Sequence, residues 1–126
     1  MANVLIVDDS PTDIQAMRSA LEGEGHHVAV AESAYTGLEA AKRDRPDVIL
    51  MDVVFQGMSG FQGTRKLARD PETKDIPVII ISGKGQESDR IWGLRQGAAE
   101  YLVKPVASEV LSGAVADVLS RRTAER

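Results

Sequence analysis

A three-layer α/β fold around a five-stranded parallel sheet is what this 126-residue sequence predicts, and three observations predict it. Short apolar runs alternate with longer stretches of helical period, the pattern of repeated strand-helix-strand units. Most of the runs are apolar at consecutive positions, as suits strands covered by helices on both faces. Two runs end in aspartate and another in lysine, so charged groups gather at the carboxyl edge, where open α/β sheets bind ligands.

The first strand, Asn3 to Val7, delivers Asp8 and Asp9. Helix one opens at a Ser10 cap, with Pro11 suited to the first turn and Asp13 placed to complete a reciprocal capping arrangement; Gly23 and Gly25 mark its end. His26 and His27 read as solvated loop residues with no catalytic or metal role. Strand two, Val28 to Ala31, leads to a Ser33 cap and helix two, whose Leu38 and Ala41 face inward and which stops at Arg45-Pro46. Gly37 inside that helix costs about 1 kcal/mol relative to alanine and predicts local weakness.

Strand three, Val48 to Met51, delivers Asp52. Helix three carries Phe61, Thr64, Leu67 and Ala68 on one side and stops at Asp70-Pro71. Strand four, Val78 to Ile81, delivers Ser82; helix four runs from near Glu87 to Gln96, with Gly97 as its stop. Its apolar face is assigned to Ile91 and Leu94, which leaves Trp92 toward solvent as a partner anchor. Strand five, Glu100 to Val103, delivers Lys104. From a Ser108 cap, helix five repeats apolar residues at Val110, Leu111, Ala114, Val115, Val118 and Leu119, a core stripe, and the polar tail after Ser120 is expected to fray. The whole chain, 1–126, reads as one domain with a polar tail from about 121.

Composition narrows the function classes. The 15 Lys+Arg against 19 Asp+Glu leave a formal net charge of -4, which argues against an electrostatic grip on nucleic acid or acidic membrane. Without cysteine, disulfides, thiolate catalysis and thiolate metal sites are excluded. No apolar run approaches the ~20 residues of a membrane span. Cytoplasmic residence without membrane insertion is the expectation.

A single aspartate after a strand is ordinarily a helix cap or a solvated turn residue. A tandem pair beside a third aspartate is different, because crowded carboxylates raise one another's pKa unless a cation joins them. All-oxygen ligation with no histidine nearby favours Mg²⁺ over zinc.

The stretches Val7-Asp8-Asp9-Ser10, Leu50-Met51-Asp52, Ile81-Ser82 and Tyr101-Leu102-Val103-Lys104-Pro105, in this order and spacing, resemble the receiver domain of bacterial response regulators across essentially the whole chain. The chain looks most like the stand-alone chemotaxis type. The stretch Trp92 to Ala98, with Tyr101 and Lys104-Pro105-Val106, further resembles the regulators of twitching-motility (type IV pilus) chemosensory systems.

That resemblance implies a flavodoxin-like receiver fold with strand order 2-1-3-4-5 and a phosphoryl group accepted on Asp52 from a histidine kinase. It implies Mg²⁺ held by Asp8, Asp9, Asp52 and the main-chain carbonyl of Val54, with Lys104 and Ser82 each meeting a phosphoryl oxygen. No general base is required, since phosphoryl transfer is mainly positioning and charge neutralisation. Ser82 moving toward the phosphoryl group would let Tyr101 turn inward and reset the face of helix four, strand five and helix five, where Trp92 and Tyr101 meet a downstream protein target. The Lys104-Pro105 peptide would be cis. The chain would be a phosphoacceptor switch rather than an enzyme, though able to catalyse its own phosphotransfer and dephosphorylation, and a monomer, with a dimer as the alternative.

Three positions depart from the family pattern or tune it. Gln56 stands where proline is common, which predicts a less rigid loop, while Val54 and Lys84 flank the line along which water would approach the phosphoryl group. Competing readings are an interaction module that is never phosphorylated, a receiver excised from a larger regulator, and a haloacid dehalogenase type phosphatase. Adjacent Asp8 and Asp9 weigh against the last, whose motif wants its two aspartates two residues apart.

Overall fold

The computed structural model describes residues 1–124, with side chains through Arg122. Strands β1 (Asn3–Val7), β2 (His27–Ala31), β3 (Val48–Met51), β4 (Val78–Ser82) and β5 (Glu100–Val103) alternate with helices α1 (Pro11–Gly23), α2 (Ala34–Asp44), α3 (Gly60–Arg69), α4 (Glu87–Arg95) and α5 (Ser108–Ala124). Every strand pair is parallel, and the order is β2-β1-β3-β4-β5, as expected from the resemblance.

Period-two alternation divides the sheet between two cores. Leu5 and Val7 join Ala41, Leu67 and Tyr101 in a core beneath α2, α3 and α4. Val4 and Ile6 join Leu21, Leu111 and Val115 in a second core beneath α1 and α5. Because the chain leaves β1 toward β2 on one side and pairs with β3 on the other, a crevice opens beyond the carboxyl ends of β1 and β3. Val7 is in register with Met51 and Ser82 with Val103, which places Asp8, Asp52 and Lys104 on one rim.

Several local expectations are corrected. Gly37 has a packing reason: a Cβ there would lie 2.9 Å from both methyl groups of Val7, so glycine lets α2 close on β1. That helix also carries a complete capping box between Ser33 and Thr36. Ala68 of α3 is exposed, and so are Ile91 and Val110. In α4 the buried residue is Gly93, where a Cβ would lie 2.8 Å from the Tyr101 ring and 3.0 Å from Ile80. The helix therefore seats on its backbone at Gly93 and on Leu94, which packs against the core as expected, while Ile91 is left exposed.

Ser108 does not cap α5 but begins it, since the Leu111 amide donates to the Ala107 carbonyl. Helix α5 runs past Ser120 to Ala124, with the Arg122 guanidinium donating to the Asp47 carbonyl at 2.9 Å. Residues 125–126 of the expected tail lie outside the described residues. His27 pairs with Asn3 as the first residue of β2, and His26 Nδ1 accepts the Ala2 amide at 3.1 Å, so neither is a free loop residue. No helix among the described residues is long and apolar enough to cross a membrane.

Candidate functional site

The buried Asp8 carboxylate is held from two sides. Its Oδ1 accepts the Ser10 amide at 2.9 Å, the aspartate turn that reverses the chain into α1, and its Oδ2 accepts Lys104 Nζ at 2.8 Å. Asp9 is exposed on the same rim. Asp52 extends the β3 ladder through its amide to the Val7 carbonyl, and its Oδ1 accepts the Val53 amide at 2.8 Å. One carboxylate oxygen from each of Asp8, Asp9 and Asp52 lies within 4.8 Å of the others.

The loop after Asp52 returns tightly into α3. The Gly60 amide donates to the Val53 carbonyl, and a Cβ at Gly60 would collide with the Asp52 carbonyl, so only glycine permits this approach. The side chain of Val54 is exposed on this loop, Met58 is buried, and Ser59 and Gln62 form a capping box that sequence reasoning did not single out.

Lys104 arrives from β5 with its amide bonded to the Ser82 carbonyl and its peptide to Pro105 cis. Its Nζ stands 2.8 Å from Asp8 Oδ2, 2.8 Å from Asp13 Oδ2 and 3.6 Å from Asp52 Oδ2. Asp13 is the site residue that sequence reasoning assigned elsewhere. Half of the expected capping box forms, with the Asp13 amide on Ser10 Oγ at 3.4 Å. The reciprocal half does not, because Asp8 already holds the Ser10 amide, and the Asp13 carboxylate turns to Lys104 instead. The available signal was its place in the first turn of a helix that starts on this rim.

Electrostatics follow from the packing. Burial pushes the Asp52 carboxyl above the usual carboxylate range; the Val53 amide and Lys104 oppose this and the Asp8 charge adds to it. Burial alone would lower Lys104, but the hydrogen bonds it donates to Asp13 and Asp8 and the charges of Asp52 and Asp8 outweigh this and raise the ammonium well above its ordinary value. The same hydrogen bond lowers Asp13. Lys104 thus supplies neutralisation that the sequence argument assigned to a divalent ion alone. One ammonium facing Asp8, Asp9, Asp13 and Asp52 still leaves the rim strongly negative.

The donor set fits Mg²⁺. Two oxygens on opposite sides of that ion are about 4.2 Å apart at its usual bond length, so a cluster within 4.8 Å closes with small side-chain adjustments. All three donors are hard carboxylate oxygens, the type this cation prefers.

Ser82 and Tyr101 meet at the main chain of Lys84. Buried Ser82 Oγ accepts the Lys84 amide at 3.1 Å, and the Tyr101 hydroxyl donates to the Lys84 carbonyl at 2.7 Å. Burial raises the Tyr101 pKa, with Ser82 opposing. The sequence expectation had this ring turning inward only after Ser82 moves; it is already inward, in the space that Gly93 leaves. The Lys84 side chain points to solvent. Trp92, 49% exposed, stands on α4 beside the exposed Ile91 of that helix, and Val103 is exposed on β5.

Comparison with known proteins agrees with this geometry. The family described as response regulator receiver domain matches residues 4–116. The chain is 50% identical over 120 residues to protein PilH of Pseudomonas aeruginosa, covering 95% of this chain and 99% of that protein. Among solved structures, Vibrio cholerae chemotaxis protein CheY4 superposes with a TM-score of 0.87 at 30% identity, covering 94% of this chain and 98% of that one. A CheY-like receiver domain protein of Methanospirillum hungatei superposes with a TM-score of 0.92 at 25% identity, over 100% of this chain and 99% of that one.

Proposed function

The chain belongs to the response regulator receiver family, and from that premise we propose that Asp52 accepts a phosphoryl group from the phosphohistidine of a histidine kinase, with Mg²⁺ as cofactor. The observation that carries the reading is the meeting of Asp52 with Asp8 and Asp9 within 4.8 Å, and with Lys104 at 3.6 Å. Asp8, Asp9, Asp52 and the Val54 carbonyl would hold the ion, which supplies neutralising charge to the phosphoryl oxygens.

Asp52 Oδ2, the oxygen not engaged by Val53, is the nucleophile. A new O–P bond forms in line as the P–N bond to the donor imidazole breaks, and the electron pair of that bond leaves with the imidazole. Lys104 meets one phosphoryl oxygen and the Ser82 hydroxyl another. Turning toward that oxygen draws Ser82 Oγ, which accepts the Lys84 amide, away from the residue whose carbonyl Tyr101 holds. The signal then passes through Lys84 to α4 and β5, where Ile91, Trp92 and Val103 form the surface for a downstream protein.

The resemblance of the Trp92 to Ala98 stretch to twitching-motility chemosensory regulators, together with 50% identity to protein PilH, supports a role in such a pathway. We assign the chain a cytoplasmic location and a single receiver unit over 1–126 acting as a phosphoacceptor switch. Incubation with acetyl phosphate and Mg²⁺ followed by intact mass measurement tests this: one phosphoryl adduct is expected, and none with Asp52→Asn. An unmodified wild-type chain, with both the small donor and a kinase, would instead support an inert interaction module.

A further inference from the structure

We propose that Asp13 is a counter-ion that shares the Lys104 ammonium with the phosphoryl group and so limits how tightly the site holds that group. The inference rests on the phosphoacceptor reading above. An ammonium has three N–H donors. Two of those of Lys104 are taken, by Asp8 and by Asp13, each at 2.8 Å, and one remains for the side of Asp52 at 3.6 Å.

The two carboxylates that hold Lys104 are not equivalent. Asp8 is buried, bonded to the Ser10 amide and part of the acidic cluster. Asp13 is 42% exposed, belongs to no such cluster and was released from its capping role only because Asp8 satisfies Ser10. Its carboxylate has Lys104 as its one charged partner among the described residues. A phosphoryl dianion on Asp52 therefore arrives within one lysine head group of a second negative charge, and the two divide the same ammonium. Removing the Asp13 charge lifts the repulsion and returns an N–H to the phosphoryl oxygens. Asp8 still anchors the side chain. Asp13 is thus a positioning residue for Lys104, with a braking sign.

The exposure of Asp13 keeps the effect modest, about 2- to 5-fold in affinity for an anion at Asp52. Beryllofluoride with Mg²⁺ is the probe, titrated calorimetrically into the full chain, alongside the lifetime of the acetyl-phosphate adduct by intact mass. Asp13→Asn is expected to bind beryllofluoride about 2- to 5-fold more tightly and to lose its phosphoryl group more slowly, while Asp13→Glu returns both to wild type. In a Lys104→Met background the Asn substitution is expected to lose most of its effect, a coupling that a merely structural role would not produce. Asp13→Ser repeats the test should the Asn variant melt below wild type. Wild-type binding with unchanged or weaker binding by both neutral variants would overturn this inference alone. No beryllofluoride binding by wild type would overturn the phosphoacceptor reading, and this inference with it.

Discussion

Helices α3 and α4 follow adjacent strands and lie on the same side of the sheet, yet they are seated differently. The first is closed by the Ser59–Gln62 capping box and buries Gly60, Gly63, Thr64 and Leu67. In the second, only Gly93 is buried, the first turn keeps only the half of a capping box in which Asp89 Oδ2 accepts the Gln86 amide at 3.2 Å, and Ile91 and Trp92 face solvent. The firm helix follows the loop that carries Asp52, where the proposed nucleophile would have to be held in line. The loosely held one carries the exposed apolar surface, and elements that move are drawn from the weakly anchored end of a structure. Under the proposed function, chemistry and output would be divided between neighbouring helices, with Lys84 and Tyr101 as the join.

Two glycine substitutions test that division directly. Gly60→Ala sets a methyl against the Asp52 carbonyl and the Val53 backbone, which cannot rotate away, so a loss of about 3 kcal/mol or more in urea unfolding is expected. Gly93→Ala sets its methyl against the Tyr101 ring and Ile80, both of which can turn. An overpacking cost of about 1–3 kcal/mol is then partly offset by about 1 kcal/mol of helix propensity. The second loss should be smaller than the first by about 1 kcal/mol or more, with Tyr101 more accessible to iodination. Equal losses would mean that α4 is seated as firmly as α3, and the contrast fails.

A smaller effect of opposite sign belongs to the firm side. Asp52 is raised by burial first, with Asp8 adding. A carboxyl whose folded pKa lies above its unfolded value binds protons more tightly when folded, so its favourable contribution is full below the unfolded pKa and is lost as pH rises through the folded one. At neutral pH the charged group is a net cost. Asp52→Asn keeps an oxygen for the Val53 amide while Lys104 keeps Asp8 and Asp13. In chelator at pH 7 the variant is expected to be on the order of 1 kcal/mol more stable, a few degrees in Tm. The gap should close as pH falls to about 4. A variant melting at or below wild type at pH 7 would remove electrostatic crowding as a feature of this rim.

The fold class and most of the rim were legible because both depend on short-range pattern, whereas the strand order came from the family resemblance. Consecutive apolar residues in Val48 to Met51 and Val78 to Ile81, short and rich in Val and Ile, read as strands buried on two faces, and the residues that follow parallel strands share an edge. Asp8, Asp9, Asp52 and Lys104 follow from that alone. Asp13 was not legible, since its partner was decided by competition between two carboxylates for one Ser10 amide. Ile91 and Val110 misled because helical period marks an apolar stripe without saying whether a core lies beneath it. The last turn of α5 depends on Arg122 reaching Asp47, a contact between residues far apart in sequence that no local pattern encodes.

The smallest expected effect concerns the join itself. Tyr101→Phe keeps the ring that fills the space over Gly93 and removes only the hydroxyl that donates to the Lys84 carbonyl at 2.7 Å. That carbonyl lies on an exposed loop and can bond to water instead, so the stability loss should sit near the low end for one hydrogen bond, about 0.5–1 kcal/mol. The local effect should be larger than the global one. The Lys84 amide would still be held by Ser82 Oγ but its carbonyl would be released, and amide exchange at Lys84 through Gln86 should quicken several-fold while α3 stays protected. Quickening that spreads equally into α3 would show the two helices to be one cooperative unit. No quickening would show that Ser82 alone holds the loop, and that Tyr101 reports on α4 by packing rather than through Lys84.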